Sequence, residues 1–445
     1  MKLFFTKRGA QIRRLSASKR ILFSLAALVL FLLVMTLVLK FFEQHSVIDT
    51  QRPDDLVANR PVAKTLTEID YQGLPCYFLY SHGMIPRTFT REKPAHVFRM
   101  FITGSSFALG SPYVSGENKD LGCGDISRWV QAELSMRFPS LKFEVINAAM
   151  GGVNSGRVMY IAQELVQVDA DLLLIATGNN EGFVPRTQFN EQLHRWILYR
   201  ALKKITLPEP EPAARSYYAP QDPDTKKIEE RYRDHIEKMV AAAGEHQARL
   251  ALVTLPINLK YDQADPMIQG QTLPFPRDDP DLQQGHQLWL DGKYREALAV
   301  LARSRNQAYA ALFMARCLEA LRDYGAAREF YKVYVQHNPQ NRIRPSYNVF
   351  LRESARRHGL ILVDLEKALE DQSPHGIPAP SIFFDYCHMR WPGYQQMAHE
   401  IVRVLIDSRI IPAAPGEPRP APTVDEMIKR YHWEILYRTK DWPIL

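Results

Sequence analysis

At 445 residues the chain has room for about two to three domains, and its 46% hydrophobic and 24% charged residues are ordinary for a globular protein. The net charge of +7 is confined to the beginning: Lys2, Lys7, Arg8, Arg13, Arg14, Lys19 and Arg20 precede the first acid, Glu43, and the 56 basic residues less these seven equal the 49 acids. A neutral remainder excludes a nucleic-acid-binding protein that carries its basic patch on a folded face.

In chain order, residues 1–20 form a basic segment and residues 21–42 an apolar one. Ile21 to Leu39 holds no charge, with Ser24 and Thr36 as its polar members. As a helix this run spans roughly 28 Å, the thickness of a bilayer core. Positive charge before the run keeps the amino terminus in the cytoplasm. No small-residue cleavage site follows, so the run reads as an uncleaved single-pass anchor. The expected location is the inner (cytoplasmic) membrane, with the rest of the chain in the periplasm. Arg13-Arg14 is a faint twin-arginine match. Residues 43–94, polar and dotted with proline, are expected to form a stalk that touches the folded domain near Tyr71 to Ile85.

A domain starting near Ala95 shows five apolar runs: Val97–Thr103, Lys142–Ile146, Leu172–Ala176, Arg249–Leu255 and Leu360–Val363. Helical patterns, such as Ile126–Phe138 and Lys226–Ala243, alternate with them. That alternation predicts a parallel sheet covered on both faces, in two parts, 95–281 and 341–411. Leu193 to Lys204 is a basic amphipathic piece with three readings: a helix packed on the domain, a lid, or a membrane-facing helix. A second interruption, 282–340, repeats Gly292-Lys-Tyr-x-x-Ala297 as Arg322-Asp-Tyr-x-x-Ala327. The spacing resembles tetratricopeptide repeats, so this insertion is either a packing element or a groove for a protein partner. Residues 412–445 read as a proline-rich tether and a tail helix, Val424 to Tyr437.

Cys76, Cys123, Cys317 and Cys387 are too few for a disulfide scaffold, and no Cys/His spacing suggests zinc. Cys317 lies on an apolar helical face, and Cys387, beside His388, reads as a buried spectator or else a regulatory thiol.

Four strand ends carry the candidate chemistry. Gly104-Ser-Ser-Phe-Ala-Leu-Gly110 sets a serine where open α/β sheets expose ligand-binding groups. A serine hydroxyl is a weak nucleophile until a base and an oxyanion site act on it. Val145-Ile-Asn-Ala-Ala-Met-Gly-Gly152 offers backbone N–H groups, and Thr177-Gly-Asn-Asn-Glu181 a side-chain amide. Phe383-Phe-Asp-Tyr-Cys-His388 places Asp385 three residues before His388, a spacing that lets the carboxylate orient the imidazole.

These serine, glycine, asparagine and histidine blocks, in this order, resemble the SGNH or GDSL-like hydrolases from Val97 to Ile406, the helical insertion aside. The resemblance implies a flavodoxin-like three-layer α/β/α fold without cofactor or metal. It implies Ser106 as nucleophile, His388 as base and Asp385 as its partner. The Ser106 and Gly152 N–H groups and the Asn180 amide would form the oxyanion hole. Ser105 replaces the family's aspartate and is a rival nucleophile; Ala149 replaces a glycine, and Glu181 an aspartate. The implied activity is a membrane-anchored serine esterase acting on acylated cell-surface carbohydrate. Its alternatives are an O-acyltransferase on exopolysaccharide, or an inactive assembly factor working through the insertion.

Overall fold

The computed structural model describes residues 16–44, 64–81, 83–114, 124–181, 193, 196–206, 225–261, 278–337 and 342–439. Arg13-Arg14, Cys123, most of the segment 207–225 and Pro339 lie outside them. The chain divides into two compact units, one of Met1–Leu56 with Arg186–Glu211 and one of Val57–Pro185 with Pro212–Leu445.

The smaller unit holds helix α1 (Ala17–Gln44) and a second helix over Ile197–Thr206. In α1, Ile21–Phe42 has a mean hydropathy of 3.0 and none of it is buried. A helix of that length is about 33 Å long, enough to cross a membrane.

The larger unit opens with β1 (Leu66–Tyr71), β2 (Leu74–Leu79) and β3 (Arg87–Thr90), an antiparallel three-stranded sheet in the order β1-β2-β3. Its presence corrects the expectation of a stalk for residues 66–90; residues 45–63 of that segment lie outside the described residues. Leu66, Cys76, Leu79 and Phe89 are buried, and Phe89 meets Phe101 edge-to-face at 5.4 Å. The sheet is also tied down by Glu164, whose carboxylate accepts from the Thr65 and Leu66 backbone N–H groups and from the Thr65 hydroxyl. Its strands are short and half exposed, so their polar faces hide the period-2 signal.

The parallel sheet follows: β4 (Val97–Gly104), the short α2 (Ser106–Leu109), α3 (Ile126–Arg137), β5 (Lys142–Asn147), α4 (Ser155–Leu165), β6 (Leu172–Ala176), α5 (Ile197–Thr206), α6 (Thr225–Glu245) and β7 (Leu250–Thr254). After four helices, α7 (Pro280–Leu290), α8 (Tyr294–Leu301), α9 (Gln307–Ala320) and α10 (Tyr324–His337), come α11 (Pro345–His358), β8 (Ile361–Asp364), α12 (Leu365–Gln372), α13 (Trp391–Asp407) and α14 (Val424–Tyr431). Strand order β5-β4-β6-β7-β8 is parallel throughout. Numbered within this sheet it is 2-1-3-4-5, the flavodoxin-like order, whose switch point lies between β4 and β6. All of β6 and β7 is buried, as a sheet covered by helices requires. Helix α3 packs on α13, and α4 on α6.

Helices α7 and α8 pack as one pair and α9 and α10 as another, with Ala297 and Ala327 buried. The tail does not hang free. Glu417 accepts from the Ser140 N–H (2.8 Å) and hydroxyl (2.6 Å), and the Arg419 N–H donates to the Arg137 carbonyl at 2.8 Å. Trp433 meets Trp129 edge-on at 5.0 Å, and Trp129 stacks on Trp391 at 5.9 Å. This docking corrects the tether reading of 412–422.

Candidate active site

Four loops leave the carboxyl ends of β4, β5 and β6 and the approach to α13. Ser106 opens α2 directly after β4. Gly110 ends that turn at φ +94°, where its N–H donates to the Ser106 and Phe107 carbonyls. A side chain there would be strained by that φ and would collide with Asp125, so the sharp turn needs glycine.

The base is held by a second tight turn. The Phe384 N–H donates to the His388 carbonyl at 2.8 Å, and the Arg390 N–H to the Ile382 carbonyl at 2.9 Å. Pro392 in the first turn of α13 then starts a long buried helix. Tyr394 of that helix donates through its hydroxyl to the Ser111 carbonyl at 2.8 Å, and the Trp391 N–H donates to the Tyr113 hydroxyl at 2.9 Å. These bonds fasten the histidine turn to the serine turn.

Across that joint His388 Nε2 stands 2.7 Å from Ser106 Oγ, and His388 Nδ1 stands 2.6 Å from Asp385 Oδ2. Asp385 Oδ1 accepts from the Cys387 N–H (2.8 Å) and the His388 N–H (2.7 Å). Burial pushes the Asp385 carboxyl up, but the neighbouring imidazole and these hydrogen bonds outweigh it and hold the group below the usual carboxylate range. Burial lowers His388, yet the Asp385 carboxylate prevails and its pKa lies well above the ordinary 6.5. Burial raises the Cys387 thiol, which keeps it protonated. Asp385, Cys387 and His388 also bring three donor atoms of metal-binding type within 4.8 Å of one another. The 2.6 Å Asp385–His388 contact is a hydrogen-bond length with no room for an ion between, and the thiol is neutral, so the trio fits an oriented base better than a metal site.

Ser105 is 0% exposed and its hydroxyl has no hydrogen-bond partner among the described residues, whereas its neighbour faces the imidazole. The loop after β5 lies against the serine turn: the Met150 N–H donates to the Gly104 carbonyl at 3.0 Å. Gly152 adopts φ +71° in that loop, a left-handed conformation that turns the chain toward α4. Asn180, also left-handed at φ +70°, donates through Nδ2 to the Val153 carbonyl at 3.2 Å. The blocks of Gly152 and Asn180 are thus linked to each other, and the former to the serine turn. Such an arrangement can pass a proton from a hydroxyl to an imidazole and back.

Two features were missed from the sequence. One is a support behind the acid: the Asn258 amide donates to the Asp385 carbonyl at 3.0 Å, and the Arg342 guanidinium donates to the Asn258 carbonyl at 2.8 Å. The only sequence signal is a polar residue just past a buried strand. The other is a buried cluster beneath Asn180. Glu181 accepts from the Ser155 N–H (2.8 Å) and hydroxyl (2.6 Å), and the Ser155 oxygen lies 2.9 Å from His235 Nδ1. Burial pushes Glu181 up to about 7, against the pull of its Ser155 hydrogen bonds. The unfolded chain ionises this group near the ordinary 4.5, so folding stability falls as pH rises from there to about 7 and is level above. Glu181→Gln is therefore expected to gain on the wild type by about 3 kcal/mol across that window, read from urea unfolding at a series of pH values.

No family model matches the chain, and a search of the curated proteins finds no match either. Solved structures do match. The chain is similar to Axe2, an acetylxylan esterase from Geobacillus stearothermophilus, at 13% identity and TM-score 0.36, over 69% of this chain and 94% of that one. LAE5, an alpha/beta hydrolase enzyme from the metagenome of Lake Arreo, matches at 14% and 0.35, over 69% and 94%. A GDSL-like lipase from Bacteroides thetaiotaomicron matches at 12% and 0.33, over 70% and 88%. TM-scores below 0.5 at such identities carry no argument about activity, which has to be read from the chain's own side chains.

Proposed function

We propose that this chain is a serine ester hydrolase of the SGNH type, anchored by α1 with its catalytic unit outside the cytoplasm. The observation that carries the reading is the line Ser106 Oγ–His388 Nε2–Nδ1–Asp385 Oδ2, with contacts of 2.7 and 2.6 Å. His388 takes the hydroxyl proton as Ser106 attacks the ester carbonyl, and the new Oγ–C bond gives a tetrahedral oxyanion. The Ser106 and Gly152 N–H groups and the Asn180 amide stabilise that charge. The alkoxide leaves with the proton from His388, and water, activated by the same imidazole, releases the acyl group.

Acylated carbohydrate at the cell surface is the substrate class that suits an outward-facing, tethered esterase. The tetratricopeptide-like pairs α7–α10 add a surface for a protein partner. Labelling of the full-length protein by a fluorophosphonate, together with hydrolysis of a short-chain ester, tests the chemistry. A protein that neither labels nor hydrolyses would remove it. Acyl transfer to an oligosaccharide, measured against release to water, identifies the second acceptor. Asn180→Ala is expected to lower kcat by about 100- to 1000-fold, the loss seen when one oxyanion donor is removed. An unchanged kcat would strike that residue from the hole.

A further inference from the structure

Helix α5 is a motif of the sequence that the esterase reading leaves without a task. Ile197, Ala201 and Ile205 recur every fourth residue along it, with Leu198 and Leu202 beside them. Arg200, Lys203 and Lys204 lie off that stripe, and Leu193 to Thr206 contains no acid. Ile197 is buried, but Leu202 is 53% and Ile205 82% exposed, on the apolar side of a ten-residue helix. Water is a poor environment for such a face, and within a soluble core the basic side would be the one turned outward.

The position of α5 says what covers that face. It belongs to the same compact unit as α1 and packs against it. Among the described side chains of α1, those partly buried are Met35, Thr36 and Leu39, which share one face. Leu39 and Met35 lie about 5 and 10 Å along the helix from Phe42, the end of the apolar span. A helix lying in a bilayer interface buries its apolar side to about this depth, 5–10 Å into the headgroup and acyl boundary. The basic residues would then stand at lipid phosphates.

We propose that α5 lies in the plane of the membrane beside the outward end of α1, with Leu202 and Ile205 among acyl chains and Arg200, Lys203 and Lys204 at anionic headgroups. The proposal rests on α1 being a bilayer span. It gives the chain a second membrane contact, placed in sequence between the Asn180–Glu181 loop and α6.

The test uses the full-length protein in nanodiscs containing phosphatidylglycerol, with acyl-brominated phosphatidylcholine as quencher. In a Trp196→Phe background, Ile205→Trp adds one fluorophore on the apolar side, and Lys204→Trp adds one on the basic side. Read as the difference from the Trp196→Phe parent, which keeps five tryptophans, the fluorescence added by Ile205→Trp is expected to be lost mostly to brominated lipid and little to aqueous iodide, and that added by Lys204→Trp the reverse. Leu202→Trp, read in the same way, guards against a single variant that misfolds. Signals at 202 and 205 that iodide quenches and brominated lipid does not, in a protein that stays in the disc, would overturn the placement of α5 alone. Extraction of the wild type from vesicles by alkaline carbonate would instead remove the span, and this proposal with it.

Discussion

Ser106→Ala should leave no measurable turnover of a short-chain ester, a fall of about ten-thousand- to a million-fold in kcat, as in enzymes whose nucleophile acts in concert with its base. No neighbouring hydroxyl can take its place. Ser105 is fully buried, its hydroxyl makes no hydrogen bond to the imidazole, and its backbone enters the cap of α2 in an extended conformation at φ −92°, ψ −160°. The folded state should be little affected, because the Ser106 hydroxyl's contact is His388 Nε2 and the Gly110 bonds to the turn use backbone groups alone. Rates on p-nitrophenyl acetate, with thermal melts of both proteins, measure the two halves of this expectation. Hydrolysis that continues at the wild-type rate would take the nucleophile elsewhere.

Asp385→Asn is expected to cost about ten-thousand-fold in kcat for a different reason. The two backbone N–H groups of Cys387 and His388 both point at Asp385 Oδ1. An asparagine would keep its carbonyl oxygen there and turn its NH2 toward His388 Nδ1. That nitrogen would have to accept, so the ring proton would move to Nε2 and face Ser106, where it cannot remove a proton. The variant should also move the pH profile. In the wild type, activity rises with pH as His388 loses its proton, with a midpoint above the ordinary histidine value because the carboxylate favours the charged ring. Removing that charge should carry the midpoint of the residual activity downward. A profile that does not move would show that Asp385 does not face the base in solution.

Much of this architecture was legible in advance because buried parallel strands leave a strong mark. Val97–Gly104 and Leu172–Ala176 are apolar at nearly every position, and the helices between them keep a clear period. The antiparallel sheet over Leu66–Thr90 left no such mark, since each strand buries only a few residues. The tail was misread for a related reason: prolines suggest a tether, while the bonds that dock it come from single residues, Glu417 and Arg419, that carry no local pattern. For the site, residue types and order along the chain named the candidates. Their spacing could say nothing of the 282 positions that separate Ser106 from His388. Nor could it show Asn258, Ser155 or His235, whose partners lie far off in sequence.

The backing of Asp385 has a practical corollary for anyone trimming the polypeptide. Tyr334 of α10 donates to the Tyr261 carbonyl at 3.0 Å, the Arg342 guanidinium lies 5.0 Å from the centre of the Tyr334 ring, and Arg342 reaches the Asp385 carbonyl through Asn258. Excising the four-helix module and splicing its ends would delete none of the reacting atoms, yet it would strip a brace from the strut on which the acid rests. A minimal enzyme cut from this chain would have to keep that module or be supplied with a substitute wedge.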